Sequence, residues 1–108
     1  WRACRLVVDT GMHALGWSRQ QAIDYLAANT ALTMVEVEAQ IDRYITWPAQ
    51  ALSYKIGEIK IRQLRAQAEQ QLGDKFDIRA FHDQMLKNGS LPLDLLEQLT
   101  LEWIAAQQ

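Results

Sequence analysis

Two capping boxes, Ser18 with Gln21 and Thr33 with Glu36, each stand just ahead of a run whose apolar residues recur every three or four positions. In such a box the N-cap hydroxyl accepts from the backbone N–H three residues on. The side chain at that position reaches back to the N-cap N–H, so a helix starts there. Glycine and proline are scarce, five and two copies, and divide the chain into helical runs. No segment alternates polar and apolar residues for long enough to make a strand. The expectation is an all-α fold of about six helices.

The first helix is expected over 1–14, with Leu6, Val7 and Val8 set among Arg5, Asp9 and His13. The second, over 19–29, carries Ala22, Ile23, Leu26 and Ala27 on one face; the third, over 34–46, buries Val37, Ile41, Tyr44 and Ile45. Pro48 suits a first turn, so a long helix is expected over 49–72, closed by Gly73. Its apolar set of Leu52, Ile56, Ile59, Leu64, Ala68 and Leu72 drifts around the axis with Ile61 off the main stripe, so this helix is expected to be covered on more than one side. Asp77 caps a fifth helix over 78–87. Ser90 and Pro92 open the last, with Leu95, Leu96, Leu99, Trp103 and Ile104.

A length of 108 residues suits one domain over 1–108, and 49% hydrophobic against 22% charged residues is a globular composition. Eleven basic and thirteen acidic residues give a net charge of −2, which by charge alone points to neither nucleic acid nor a membrane surface. No apolar run approaches the ~20 residues of a membrane span. The lone Cys4 excludes an internal disulfide and a cysteine-based zinc cage. The chain opens on WRACRLVV, which reads as the middle of something, so a C-terminal fragment of a longer polypeptide is expected.

Arg5, Asp9 and His13 stand four residues apart and form one line on a helix. Asp9 in that line can accept from both neighbours, fixing the His13 tautomer and suiting it to donate to an oxyanion or orient a substrate. The same spacing equally builds an intrahelical salt-bridge ladder with a satisfied histidine. Gly11, inside this helix, either permits a close approach or marks an early helix end. Tyr54, three residues before Gly57, has room for a ligand and a phenol that can stabilise negative charge; it is equally a packing tyrosine with a satisfied hydroxyl. Lys55, Lys60, Arg62 and Arg65 read as a solvated face, and His82–Asp83 as a surface pair. No H-E-x-x-H motif, phosphate-binding glycine loop or G-x-S-x-G elbow is present, and the chain alone offers no metal-ligand set.

The run Arg5–Leu6–Val7–Val8–Asp9–Thr10–Gly11–Met12–His13, followed by Gly16–Trp17–Ser18–Arg19–Gln20–Gln21–Ala22, resembles the C-terminal end of the bacterial domain-of-unknown-function family 885. The resemblance continues through Pro48–Ala49–Gln50–Ala51–Leu52–Ser53–Tyr54–Lys55–Ile56–Gly57 and Leu72–Gly73–Asp74–Lys75–Phe76–Asp77–Ile78–Arg79–Ala80–Phe81–His82–Asp83, and on to Gly89, Pro92, Leu93 and Leu96. Ala49 departs from the pattern, standing where a glycine is expected. The family looks like gluzincin-type zinc metallopeptidases, long and helical. The resemblance therefore implies a peptide hydrolase whose zinc ligands lie upstream, in an N-terminal catalytic part of the same polypeptide. His13 and Tyr54 would bind substrate and stabilise the transition state, with Arg5 and Asp9 supporting them or binding a carboxylate. It also suggests the bacterial periplasm or cell envelope. The other reading is a stand-alone helical protein-interaction module without catalysis.

Overall fold

The computed structural model describes residues 1–108 and is all-helical. Six α-helices come one after another: α1 (Arg2–Ala14), α2 (Arg19–Asn29), α3 (Met34–Thr46), α4 (Ser53–Leu72), α5 (Ile78–Leu86) and α6 (Leu93–Gln107). Single 3-10 turns at Gln50–Leu52 and Gly73–Lys75 flank α4. The chain divides into two compact units, Trp1–Ile56 and Gly57–Gln108. No helix is long and apolar enough to cross a membrane.

Both capping boxes form. Ser18 Oγ accepts from Gln21 N, and the Gln21 amide oxygen accepts from Ser18 N at 2.8 Å. Thr33 and Glu36 repeat the exchange, and the backbone and hydroxyl of Thr33 together hold the Glu36 carboxyl below its ordinary range. Asp77 caps α5 by accepting from Arg79 N at 2.9 Å. These starts lie where local hydrogen bonding dictates them.

The first unit closes around Val8, Ile23, Leu26, Val37, Ile41, Tyr44 and Ala51, all buried. These come from α1, α2, α3 and the first 3-10 turn, so α1 sits against the turn that precedes α4. The second unit buries Leu64, Ala68, Leu72, Phe81, Met85, Leu96 and Ile104. There the Thr100 hydroxyl, fully buried, donates to the Leu96 carbonyl at 2.7 Å. Of the basic stretch of α4, Arg62 and Arg65 are exposed and pair with Glu58 and Glu69, whereas Lys55 and Lys60 are half-buried and Lys60 pairs with Glu97 of α6 at 2.9 Å.

Three expectations need correction. The long helix starts at Ser53 rather than at residue 49, because Ala49 adopts φ 67°, ψ −10°, a left-handed conformation that no right-handed helix continues. Of its apolar set only Leu64, Ala68 and Leu72 are buried, whereas Ile56 and Ile59 are exposed. Ile45 of α3 is exposed as well, since the buried stripe is filled by Val37, Ile41 and Tyr44.

Gly11 has a specific cause. The helix does not end there; instead the chain turns back at Gly16, Trp17 N donates to the Gly11 carbonyl at 2.8 Å, and the indole lies flat on the glycine. A Cβ at position 11 would come within 2.5 Å of Trp17 Cδ2. The close approach is therefore made by a side chain, which also packs on Tyr25 with ring centroids 5.7 Å apart. Gly11→Ala is expected to destabilise the chain: overpacking against a rigid ring costs about 1–3 kcal/mol, more than the ~1 kcal/mol that alanine returns in helix propensity. A urea midpoint that stays put or rises would show that the indole yields.

Candidate functional site

The four residues singled out from the sequence lie in the first unit. Arg5, Asp9 and His13 occupy successive turns of α1, and Tyr54 is the second residue of α4. Their side chains are connected differently from what the spacing suggests.

Asp9 is buried, 1% exposed, and its Oδ1 accepts from the backbone N–H of Ala49 at 3.1 Å. That bond spans forty residues and ties the middle of α1 to the turn before α4. It also accounts for the left-handed residue: Ala49 must present its N–H to the carboxylate and then lead directly into the turn at Gln50–Leu52. A glycine would accept this φ without a Cβ penalty.

His13 does not take its orientation from Asp9. The Nε2 atom lies 3.0 Å from the main-chain carbonyl of Tyr44 and 4.0 Å from Asp9 Oδ1. A carbonyl only accepts, so Nε2 carries the hydrogen and Nδ1 is the nitrogen left for other work. In the neutral ring Nδ1 is an acceptor; only the protonated ring can donate from it. The hydrogen bond that sets the tautomer thus comes from α3, with Asp9 contributing favourable charge nearby.

Arg5 is buried to 4% exposure, yet makes no ion pair with Asp9 and leaves both Nε and Nη2 without a protein hydrogen-bond partner. Its guanidinium is packed among aromatic rings, with Cζ 4.5 Å from the centroid of Tyr54, 5.2 Å from Tyr44 and 5.7 Å from Trp1. Stacking on rings is attractive for a guanidinium, which is delocalised and weakly hydrated. Of the salt-bridge ladder along α1 only the long Asp9–His13 rung forms, at 4.0 Å, because Arg5 is taken up by aromatic rings instead.

Tyr54 is 41% exposed, with Arg5 under its ring. Its hydroxyl oxygen accepts from Gln50 Nε2 at 3.5 Å, and Gln50 Oε1 accepts from Arg43 Nη2 at 3.2 Å. The Gln50 hydrogen bond, aided by the positive charges of Arg5 and Arg43, holds the phenol below its ordinary titration range against the opposing effect of partial burial. Because the oxygen accepts from Gln50, the hydroxyl hydrogen is free to point elsewhere. Sequence reasoning missed Gln50 and Arg43. Gln50 stands one helical turn before Tyr54 and could have been found by that spacing, whereas Arg43 lies across the left-handed turn and had no such signal.

No three His, Cys, Asp or Glu side chains converge as metal ligands would. A cavity of about 590 Å³ lies in the second unit, lined by Ile61, Arg65, Phe81, His82, Met85 and Leu86 among others. It includes none of the four candidate residues.

The family model described as "Bacterial protein of unknown function (DUF885)" matches residues 1–99. A crystal structure of "the putative lipoprotein from Colwellia psychrerythraea" superposes with a TM-score of 0.95 at 48% sequence identity. The match covers 97% of this chain and 18% of that one, so this chain spans about a fifth of its length. No curated protein matches.

Ala49→Gly is expected to stabilise the chain by roughly 0.5–1 kcal/mol, the relief of a left-handed alanine less the extra backbone entropy of glycine. Thermal unfolding checks it, and a lowered midpoint would mean that the alanine is not strained.

Proposed function

The chain belongs to the DUF885 family of bacterial proteins, and on that footing we propose that it is the C-terminal segment of a peptide hydrolase, lining the substrate side of the active site. In this reading Tyr54 and His13 face the carbonyl of the bond to be cut. Arg5 and Asp9 support them.

The observation that carries the reading is the state of the Tyr54 hydroxyl. Its oxygen is held by Gln50, its ring rests on a buried cation, and its hydrogen is left to donate. A carbonyl under nucleophilic attack develops negative charge on oxygen. A pre-placed O–H or N–H aimed at that position stabilises the transition state more than the ground state. His13 can add a second donor from Nδ1 when its ring is protonated, since Nε2 is already committed to the Tyr44 carbonyl.

Zinc, which the resemblance implies, fits no cluster of residues in this chain. We therefore assign it to ligands outside these 108 residues, and the roles given to Tyr54 and His13 concern the substrate carbonyl alone. The lipoprotein designation of the Colwellia relative favours the cell envelope as the place of action.

The 108-residue chain by itself is expected to retain no zinc after dialysis against a weak chelator and to hydrolyse no peptide. Stoichiometric zinc, or inhibitor-sensitive hydrolysis by the pure chain, would overturn that assignment. In the full-length protein Tyr54→Phe keeps the ring and deletes only the hydroxyl. It should lower kcat by on the order of 10²–10³ with little change in KM or Tm. His13→Ala should act in the same direction, but it also frees the Tyr44 carbonyl. Near-normal turnover by an active Tyr54→Phe enzyme would make Tyr54 a packing residue.

A further inference from the structure

Three arginines gather around Tyr54. Besides Arg5, the Arg2 Cζ atom lies 5.3 Å from the Tyr54 ring centroid, and Arg43 reaches the hydroxyl through Gln50. None of these three arginines pairs with a carboxylate. Arg19, Arg62 and Arg65 each do, with N–O distances of 2.7, 3.0 and 2.8 Å. An unpaired arginine at the surface is unremarkable alone, because water solvates it. Arg5 is different. It is 4% exposed and makes no ion pair with Asp9, whose Oδ2 is likewise buried without a partner, and its Nε–Nη2 edge, the edge that binds a carboxylate side-on, makes no hydrogen bond in the protein. Buried charged donors left unmatched are costly, and here they keep a positive charge directly beneath the exposed Tyr54 ring.

We propose that the surface at Tyr54 binds the carboxylate of a ligand, with Arg43 and Arg2 at the rim and the buried charge of Arg5 beneath, and that this carboxylate is the free C-terminus of a peptide. The inference rests on the reading of Tyr54 as a donor to the substrate carbonyl and narrows its substrate class. Gln50 alone separates the Arg43 guanidinium from the phenol. That path is roughly two residues of extended chain. With the phenol at the carbonyl to be cut and Arg43 on the carboxylate, the bond lies next to the end of the peptide, and the enzyme trims from the C-terminus. A planar guanidinium edge matches the two oxygens of a carboxylate, and the phosphate arm of the test separates the two anions.

The test monitors the side-chain ¹H–¹⁵N signals of Arg43, Arg2 and Gln50 in the 108-residue chain, so hydrolysis plays no part. Four probes are titrated: an N-acetyl dipeptide with a free C-terminus, the same dipeptide as its amide, an amide carrying a glutamate side chain, and inorganic phosphate. The free acid should give saturable shifts and the simple amide none, with the glutamyl amide and phosphate at least about tenfold weaker. Arg43→Gln should weaken the free acid by about tenfold or more, while Arg19→Gln should leave it unchanged. Both arginines are exposed, so folding is preserved, and the backbone spectrum checks it. No saturable shift with the free acid, or equal binding of the simple amide, overturns the site. Equal binding of the glutamyl amide or phosphate overturns its assignment to a peptide C-terminus. A chain that binds the free acid in a protein that cleaves nothing would sink the hydrolase reading and leave the site standing.

Discussion

A buried carboxylate, Asp9, accepting one backbone N–H from Ala49, sets the geometry on which the first unit depends. Helix α1 contributes the acceptor and the turn before α4 contributes the donor, forty residues later. A buried carboxylate gains from each hydrogen bond that replaces lost water, and the Ala49 N–H supplies one to Oδ1 while Oδ2 stays buried without a partner. The cost is visible in the backbone, where an alanine takes a conformation better suited to glycine. From that residue the chain runs directly through Gln50 and the 3-10 turn to Tyr54. The placement of the phenol is thus a consequence of where Asp9 sits on α1.

Around that tie the charged residues of α1 are shared out among different partners. Arg5 goes to three aromatic rings, Asp9 to a main-chain amide, and His13 to the carbonyl of Tyr44. Tyr44 is common to two of these, since its ring receives Arg5 and its carbonyl receives His13. One residue of α3 therefore positions two side chains of α1, and the Trp1 indole adds a hydrogen bond to the Tyr44 hydroxyl at 3.3 Å. A line of charges that could neutralise itself is instead opened, leaving a cation beneath an accessible phenol.

The close seat of Trp17 on Gly11 complements this arrangement through another contact of α1. It lets the chain reverse within a few residues and begin α2 at its capping box, so α1 and α2 pack without a spacer. The helix bears a glycine in its interior because any Cβ would displace the indole. A residue that looked like a weakness in the helix is the contact surface of its neighbour.

Much of what depends on partners within about four residues was legible in the sequence, although the Gln50 partner of Tyr54 was not. The two capping boxes, the Asp77 cap, the all-helical class and the buried face of α2 were legible because their hydrogen bonds and faces are set by helical spacing. The candidates Arg5, Asp9, His13 and Tyr54 were legible as residue types, and the family could be read from motifs in chain order. The tertiary structure alone decided whom they touch. The partners of Asp9 and His13 stand forty and thirty-one residues away. The same holds for the start of α4, where proline followed by helix-favouring residues suggested a first turn, but the pull of Asp9 on Ala49 imposed a left-handed one. Spacing encodes what a helix does to itself. It carries no record of where the chain returns, and a buried charge takes whichever partner that return brings within reach.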